Sequence, residues 1–200
     1  MWNYRTPGIP DELFARNEEI PMTKEEIRAV TISKARLRPG DNVIDVGCGT
    51  GSITVEACKQ VSPGGFVYAI DRDRKAIALT QKNLSKFGVM HSVQLIHGEA
   101  TRRLPKLPAV NVIFIGSGGQ NLPSIISQSF KKLKPTGRIV INSILLETSY
   151  AAINELDKLG FRPVEVVQVM IAKGRRIGQG TMMLARNPIT IISGMKPRKQ

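Results

Sequence analysis

Apolar residues in this chain fall into compact runs set between longer stretches of helical spacing. Residues 42–46, 66–70, 92–96, 110–115 and 138–142 are rich in Val and Ile, and each run is bounded by turn formers. Such runs predict strands buried on both faces. Between them lie helical patterns with readable ends. Thr23-Lys24-Glu25-Glu26 has the spacing of a capping box and predicts a helix to about residue 37, closed by Arg38-Pro39-Gly40. A second helix runs to about residue 61 and gives way to the turn Ser62-Pro63-Gly64-Gly65. A third spans about 73–87 and ends at Gly88; others cover about 122–133 and 147–159, the last closed by Gly160. Lys134-Pro135-Thr136-Gly137 reads as the turn into the fifth strand. Two extended runs, 162–172 and 181–185, follow each other without a helix, with a basic, glycine-rich segment at 173–180 between them. They are expected to pair as a hairpin. Alternation of strand and helix then predicts an α/β fold, a doubly wound and mostly parallel seven-stranded sheet with an antiparallel last strand. One domain over residues 1–200 is expected, with a polar, Pro-containing arm at 1–22 and a basic tail at 190–200.

The chemistry is concentrated where the first strand ends. Val43-Ile44-Asp45-Val46 runs into Gly47-Cys48-Gly49-Thr50-Gly51 and then into a helix. A strand, a glycine-rich turn and a helix make a crevice in which backbone can approach a nucleotide-shaped ligand. A dinucleotide loop would place the third glycine one residue later, and a phosphate loop would need Gly-Lys-Ser/Thr. The pattern Asp-x-Gly-x-Gly-x-Gly instead resembles motif I of S-adenosylmethionine-dependent methyltransferases, which implies a Rossmann-like class I methyltransferase fold. That resemblance assigns Asp45 and the loop Gly47, Cys48, Gly49, Thr50 and Gly51 to the methionine end of S-adenosyl-L-methionine. Asp71, at the tip of the second strand, suits the ribose hydroxyls, although an acid there can also cap the helix starting near Asp73. Gly98-Glu99-Ala100 after the third strand corresponds to the turn that reads adenine, through the Glu99 side chain and the Ala100 backbone. The usual residue is Asp, so Glu99 is a departure.

Composition narrows the partners. There are 29 Lys and Arg against 16 Asp and Glu, a net charge of +13, which favours an anionic partner. RNA, a membrane surface and a polycarboxylate small molecule all qualify. Aromatic residues make up only 5%, which argues against a stacking platform for single-stranded nucleic acid. No apolar run approaches the ~20 residues of a membrane span, and the first residues carry no signal-peptide core. The two cysteines, Cys48 and Cys58, show no metal-ligand spacing, so no metal site is expected and a reducing, cytoplasmic setting is. No Asn/Asp-Pro-Pro-Tyr/Phe motif follows the fourth strand, which disfavours methylation of a nucleobase amine. His97 lies near the expected mouth and reads either as a loop histidine or as a site residue.

A closer resemblance covers nearly the whole length. Gly8-Ile9-Pro10-Asp11-Glu12-Leu13-Phe14, Pro21-Met22-Thr23-Lys24-Glu25-Glu26, Gly116-Ser117-Gly118-Gly119, Ile144-Leu145-Leu146-Glu147-Thr148 and Gly180-Thr181-Met182-Met183-Leu184-Ala185-Arg186-Asn187-Pro188 are similar to the decarboxylating cobalt-precorrin methyltransferases of cobalamin synthesis, which methylate carbon 15. The resemblance implies an anionic tetrapyrrole substrate bearing many carboxylates, in agreement with the charge. Arg72, Arg102, Arg103, Lys173, Arg175 and Arg176 are candidates to meet it. Glu147, Ser117 and Gly118 are candidate substrate-side positions, with no general base assigned. The resemblance also implies that the turn at Thr23 covers the cofactor, a role compatible with helix capping, and that the enzyme is a homotetramer. An RNA methyltransferase remains the alternative, since many share this fold.

Overall fold

The computed structural model describes residues 2–116 and 119–198. Nine strands and six helices lie among the described residues: α1 Glu25–Ala35, β1 Asn42–Val46, α2 Ser52–Val61, β2 Phe66–Asp71, α3 Arg74–Lys86, β3 Val93–His97, α4 Ala100–Arg103, β4 Val110–Ile115, α5 Leu122–Lys132, β5 Leu133–Ser143, α6 Leu146–Lys158, β6 Val164–Val169, β7 Ala172–Ile177, β8 Gly180–Ala185 and β9 Ile189–Met195. Seven strands form one sheet in the order β3-β2-β1-β4-β5-β9-β6, with β9 antiparallel to both neighbours. This is the expected architecture.

Both faces of the sheet are buried, as period-two alternation in the central strands requires. Ile44, Val46, Ile113, Ile115, Ile139 and Ile141 pack on one side with α5 and α6. Val43, Val112, Phe114 and Val140 pack on the other with α1 and α2. The chain order reverses between β1 and β4, the topological switch point at which open α/β sheets bind ligands beyond their carboxyl ends.

Several local readings are corrected. The last sheet strand is Ile189–Met195, in the stretch expected to be a basic tail. Its Ile191, Ile192 and Ser193 are buried between β5 and β6. The basic segment expected as a loop is strand β7, which pairs only with β8 in a separate two-stranded sheet. The expected hairpin partners 162–172 and 181–185 therefore meet only at their ends, Ala172 opposite Ala185; β6 belongs to the main sheet and β7–β8 is an excursion between β6 and β9. Finally, α1 has no capping box. Its N-cap is Lys24, without a side-chain cap bond, and Glu26 instead holds Lys173 at 2.6 Å and Arg186 at 3.4 Å. Those ion pairs compete successfully because they tie α1 to the hairpin, whereas the cap serves only the helix end. Lys134–Gly137, expected as a turn, falls inside the bounds of β5, where the pairing with β4 jumps from Val110↔Leu133 to Val112↔Arg138. The helix ends at Gly88 and Gly160 are as expected, both at positive φ.

The arm at 2–22 is part of the fold. Ile9 and Phe14 are buried with Val55, Leu84 and Phe87. Arg28, fully buried on α1, binds Glu56 at 2.5 Å, Asp11 at 3.2 Å, the Thr23 carbonyl and the Ile9 carbonyl, and stacks 4.8 Å from the Phe14 ring. Glu56 in turn accepts the Gly8 and Ile9 amides, each at 2.9 Å. A buried ion group survives only when its bonds are satisfied this fully.

Candidate functional site

Every candidate cofactor residue except Thr23 lies at the carboxyl edge of β1, β2 or β3. The loop after β1 turns through three glycines in the left-handed region, Gly47 at φ 75°, Gly49 at 56° and Gly51 at 76°. At two of these, space is also denied. A Cβ on Gly49 would lie 2.9 Å from the Pro21 carbonyl, and one on Gly51 would lie 2.7 Å from the Thr80 methyl. The loop is thus wedged between the arm and α3, which holds its backbone in one shape.

Side chains lock that shape. The Gly47 and Cys48 amides donate to the Ile70 carbonyl at 2.9 and 3.1 Å, extending the β1–β2 pairing into the loop. Thr80 donates to the Gly49 carbonyl at 2.9 Å. Asn83, fully buried, donates to the Thr50 and Ala15 carbonyls at 2.8 Å each and accepts the Ala15 amide at 2.7 Å. One side chain therefore pins the arm and the glycine loop to the same helix. Neither Asn83 nor the Arg28–Glu56 pair was anticipated from sequence. A signal existed, since Glu56 stands among Ile53, Val55, Ala57 and Cys58, and a charge inside such a run needs a partner.

Asp45 is 2% exposed and accepts the Thr54 hydroxyl at 2.6 Å. Burial pushes its carboxyl up to about 7, with the Asp71 charge adding to the effect and the Thr54 bond opposing it. It braces the loop to α2 and places a titratable charge beneath it. Asp71 accepts the Gly49 amide at 2.9 Å and the Asp73 amide at 3.0 Å, one on each oxygen. Each oxygen keeps a second lone pair. The helix α3 is capped by Asp73 through the Lys75 amide, so Asp71 is not that cap. Glu99 is exposed and 4.0 Å from Arg72; Ala100 begins α4, where the first amides have no intrahelical acceptor. The Thr50 hydroxyl, buried in the loop, has no partner among the described residues. Burial first, then Asp45, pushes the Cys48 thiol well up, which makes it an inert wall residue.

Thr23 lies two residues beyond Pro21, whose carbonyl abuts Gly49, and its own carbonyl accepts Arg28. The structure thus brings the arm over the loop by its backbone. Glu147 is exposed on the first turn of α6, beyond β5 and on the same edge of the sheet. Beside it Ile144, Leu145, Leu146 and Tyr150 are all more than half exposed. Ser117 and Gly118 lie outside the described residues. Lys173 is committed to Glu25 and Glu26, at 3.1 and 2.6 Å, and so is removed from the list of free cations. The His97 Nε2 lies 3.0 Å from the Arg72 carbonyl, to which its ring N–H can donate, so the ring is engaged by backbone at the tip of β2. Among the described residues no cluster of metal-binding side chains forms, and no helix is long and apolar enough to cross a membrane.

Comparison with known proteins agrees with this geometry. A family profile described as the precorrin methyltransferase domain matches residues 12–196. A probable cobalt-precorrin-6B C(15)-methyltransferase (decarboxylating) from Saccharolobus solfataricus is 54% identical over 98% of this chain and 99% of its own length. The crystal structure of precorrin 8W decarboxylase from Methanobacterium thermoautotrophicum superposes with a TM-score of 0.88 at 39% identity, covering 93% of this chain and 98% of that one. A precorrin-6y C5,15-methyltransferase structure from Geobacter metallireducens gives 0.89 at 35% identity, covering 96% and 100%.

Proposed function

The chain belongs to the precorrin methyltransferase family, and from that premise we propose that it methylates a cobalt-precorrin at carbon 15, with decarboxylation of a ring acetate, using S-adenosyl-L-methionine. The observation that carries the reading is the full-length match to decarboxylating relatives together with the cradle at the switch point.

The residues present fit the cofactor. The loop presents backbone where Cβ atoms are excluded, Asp71 retains one lone pair on each oxygen for two ribose hydroxyls, and the buried Thr50 hydroxyl awaits a polar partner. When bound, S-adenosylmethionine supplies an electrophilic methyl group. The protein's part is to bind and align. Asp45, Gly47, Cys48, Gly49, Thr50 and Gly51 frame the methionine end, with Thr23 on the arm above them. Asp71 takes the ribose, and Glu99 with the Ala100 amide takes the adenine. The electron-rich macrocycle carbon is itself the nucleophile, so no general base is required of the chain; alignment and exclusion of water are. The macrocycle then serves as electron sink for loss of carbon dioxide. The exposed Ile144, Leu145, Leu146 and Tyr150 offer an apolar ledge for its flat face beside Glu147. Arg72, Arg102 and Arg103, at the ends of β2 and β3, suit the carboxylates around it.

The same reading includes a homotetramer in a reducing, cytoplasmic compartment. The assembly is supported by the β7–β8 hairpin, whose Ile177, Met182, Met183 and Leu184 are exposed in one chain. The test is transfer of labelled methyl from S-adenosylmethionine to a cobalt-precorrin or to bulk RNA in parallel reactions. Label in the tetrapyrrole alone is expected; label in RNA alone would overturn the substrate.

A further inference from the structure

At the opposite end of the sheet, where β1, β4 and the Arg138 segment of β5 begin, lies a cavity of about 510 Å³. It is roughly 13 Å from the glycine loop, given the rise per residue of β1. Its walls carry four arginines, Arg36, Arg38, Arg138 and Arg198, against one carboxylate, Asp41. Asp41 is already engaged, accepting the Arg38 amide at 2.8 Å. Adding the neighbours Lys34 and Glu165 still leaves cations in excess, although Glu165 holds Lys34 at 2.9 Å and Arg36 at 3.4 Å.

Arg138 is the centre of this group. It is only 5% exposed. Its Nε donates to the Lys34 carbonyl at 2.9 Å, which caps the last turn of α1, and its Nη2 donates to Ser193 at 3.3 Å. Its Nη1 has no hydrogen-bond partner among the described residues. A buried guanidinium with an unpaired nitrogen is costly, and the nearby countercharge does not offset it: burial first, then Arg36, lowers the pKa of Arg138, and the Glu165 charge only opposes this in part. The walls are strained as well. Arg36 at φ 54° and Thr136 at 63° are the non-glycine residues in the left-handed region among those described, and both line this cavity. Such strain persists where surrounding structure or a ligand maintains it.

We propose that this cavity is a second binding site, for a small polyvalent oxyanion of the phosphate or carboxylate class. Arginine forks are the donors best matched to such oxygens. The volume is that of a small-molecule site. The lining has no aromatic ring, so the site reads charge and not a nucleobase. Its concave shape, with the deepest cation nearly inaccessible, distinguishes it from the exposed basic stripe that a nucleic-acid backbone would use. The site is independent of the methyltransferase reading and shares no residue with it.

The test is calorimetric titration of the full chain with pyrophosphate and with citrate, each against sodium chloride at equal ionic strength. Saturable binding of one anion per chain is expected, and which anion binds tighter separates phosphate from carboxylate chemistry. Arg138→Gln is the direct variant, but it also removes the α1 cap. The rim pair Arg36→Asn with Arg198→Gln therefore serves as the main variant, since Asn tolerates the left-handed backbone and both side chains are exposed. It is expected to weaken the anion about tenfold or more while S-adenosylmethionine binds as before. Absence of saturable binding, or binding indifferent to the rim pair, would overturn the proposal.

Discussion

The N-terminal arm and the C-terminal hairpin treat burial in opposite ways. Around the arm, Arg28, Glu56, Asp11 and Asn83 are buried, and each is tied by several bonds to a backbone or a countercharge. In the hairpin every residue of β8 is exposed, Met182, Met183 and Leu184 included. A charge can go inside when the fold supplies its partners; an apolar side chain stays outside when one chain supplies no layer to cover it. A two-stranded sheet is barely stable alone, and this one is moored to α1 by Lys173 and Arg186 on Glu25 and Glu26. The mooring holds Glu26 below the usual carboxylate range: burial pushes it up, but the Lys173 bond and charge prevail. Both regions lie by the site. The arm presses Pro21 against Gly49, and β6 delivers the hairpin to the carboxyl edge of the sheet, parallel to β5.

The comparison breaks most sharply at Arg28. Arg28→Met strands Glu56 and Asp11 without their cation and is expected to cost about 3–5 kcal/mol in chemical denaturation. A loss below about 1 kcal/mol would mean that apolar packing, not the ion group, seats the arm. The hairpin should respond in the other direction. Met183→Lys with Leu184→Lys should leave monomer stability within about 0.5 kcal/mol, yet shift sedimentation from the proposed homotetramer to a smaller species. An unchanged assembly would place its interface elsewhere.

Smaller effects test the loop between the two regions. Asp71→Ala should weaken S-adenosylmethionine by about 1–3 kcal/mol in calorimetry, because bonds to a charged acceptor are lost. Unchanged affinity would remove Asp71 from the site. Asp45 gives a pH dependence. Its folded-state value, about 7, lies above the ordinary 3.8, so the folded protein holds a proton that the unfolded chain releases. Its contribution to stability is therefore full at low pH and declines between about 4 and 7. A cationic ligand favours the ionised form, so cofactor affinity should rise as pH is raised through 7. Asp45→Asn should flatten both trends; a persisting slope would assign them to another group.

The legible parts of this chain were those whose cause is local. β1 and β4 matched their apolar runs to the residue, β2 ran one residue further to Asp71, and the glycine loop, Asp71 and Glu99 fell on one edge because the βαβ order forces them there. The misread parts depend on partners far along the chain. Ile189–Met195 contains the apolar signal Ile189-Thr190-Ile191-Ile192, but the lysines and arginine that follow disguised it as a tail. β7 lacks alternation because it is largely solvated on both faces, so it reads as a loop. The Thr23 capping box gave way to ion pairs formed with residues some 150 positions later, a distance no local pattern encodes.

The most direct measurement is mass spectrometry of the tetrapyrrole after reaction with the protein and S-adenosylmethionine, starting from a cobalt-precorrin that carries the ring acetate. Gain of one methyl together with loss of carbon dioxide is the predicted result. A tetrapyrrole unchanged in mass, in a reaction where the protein demonstrably binds S-adenosylmethionine, would contradict it.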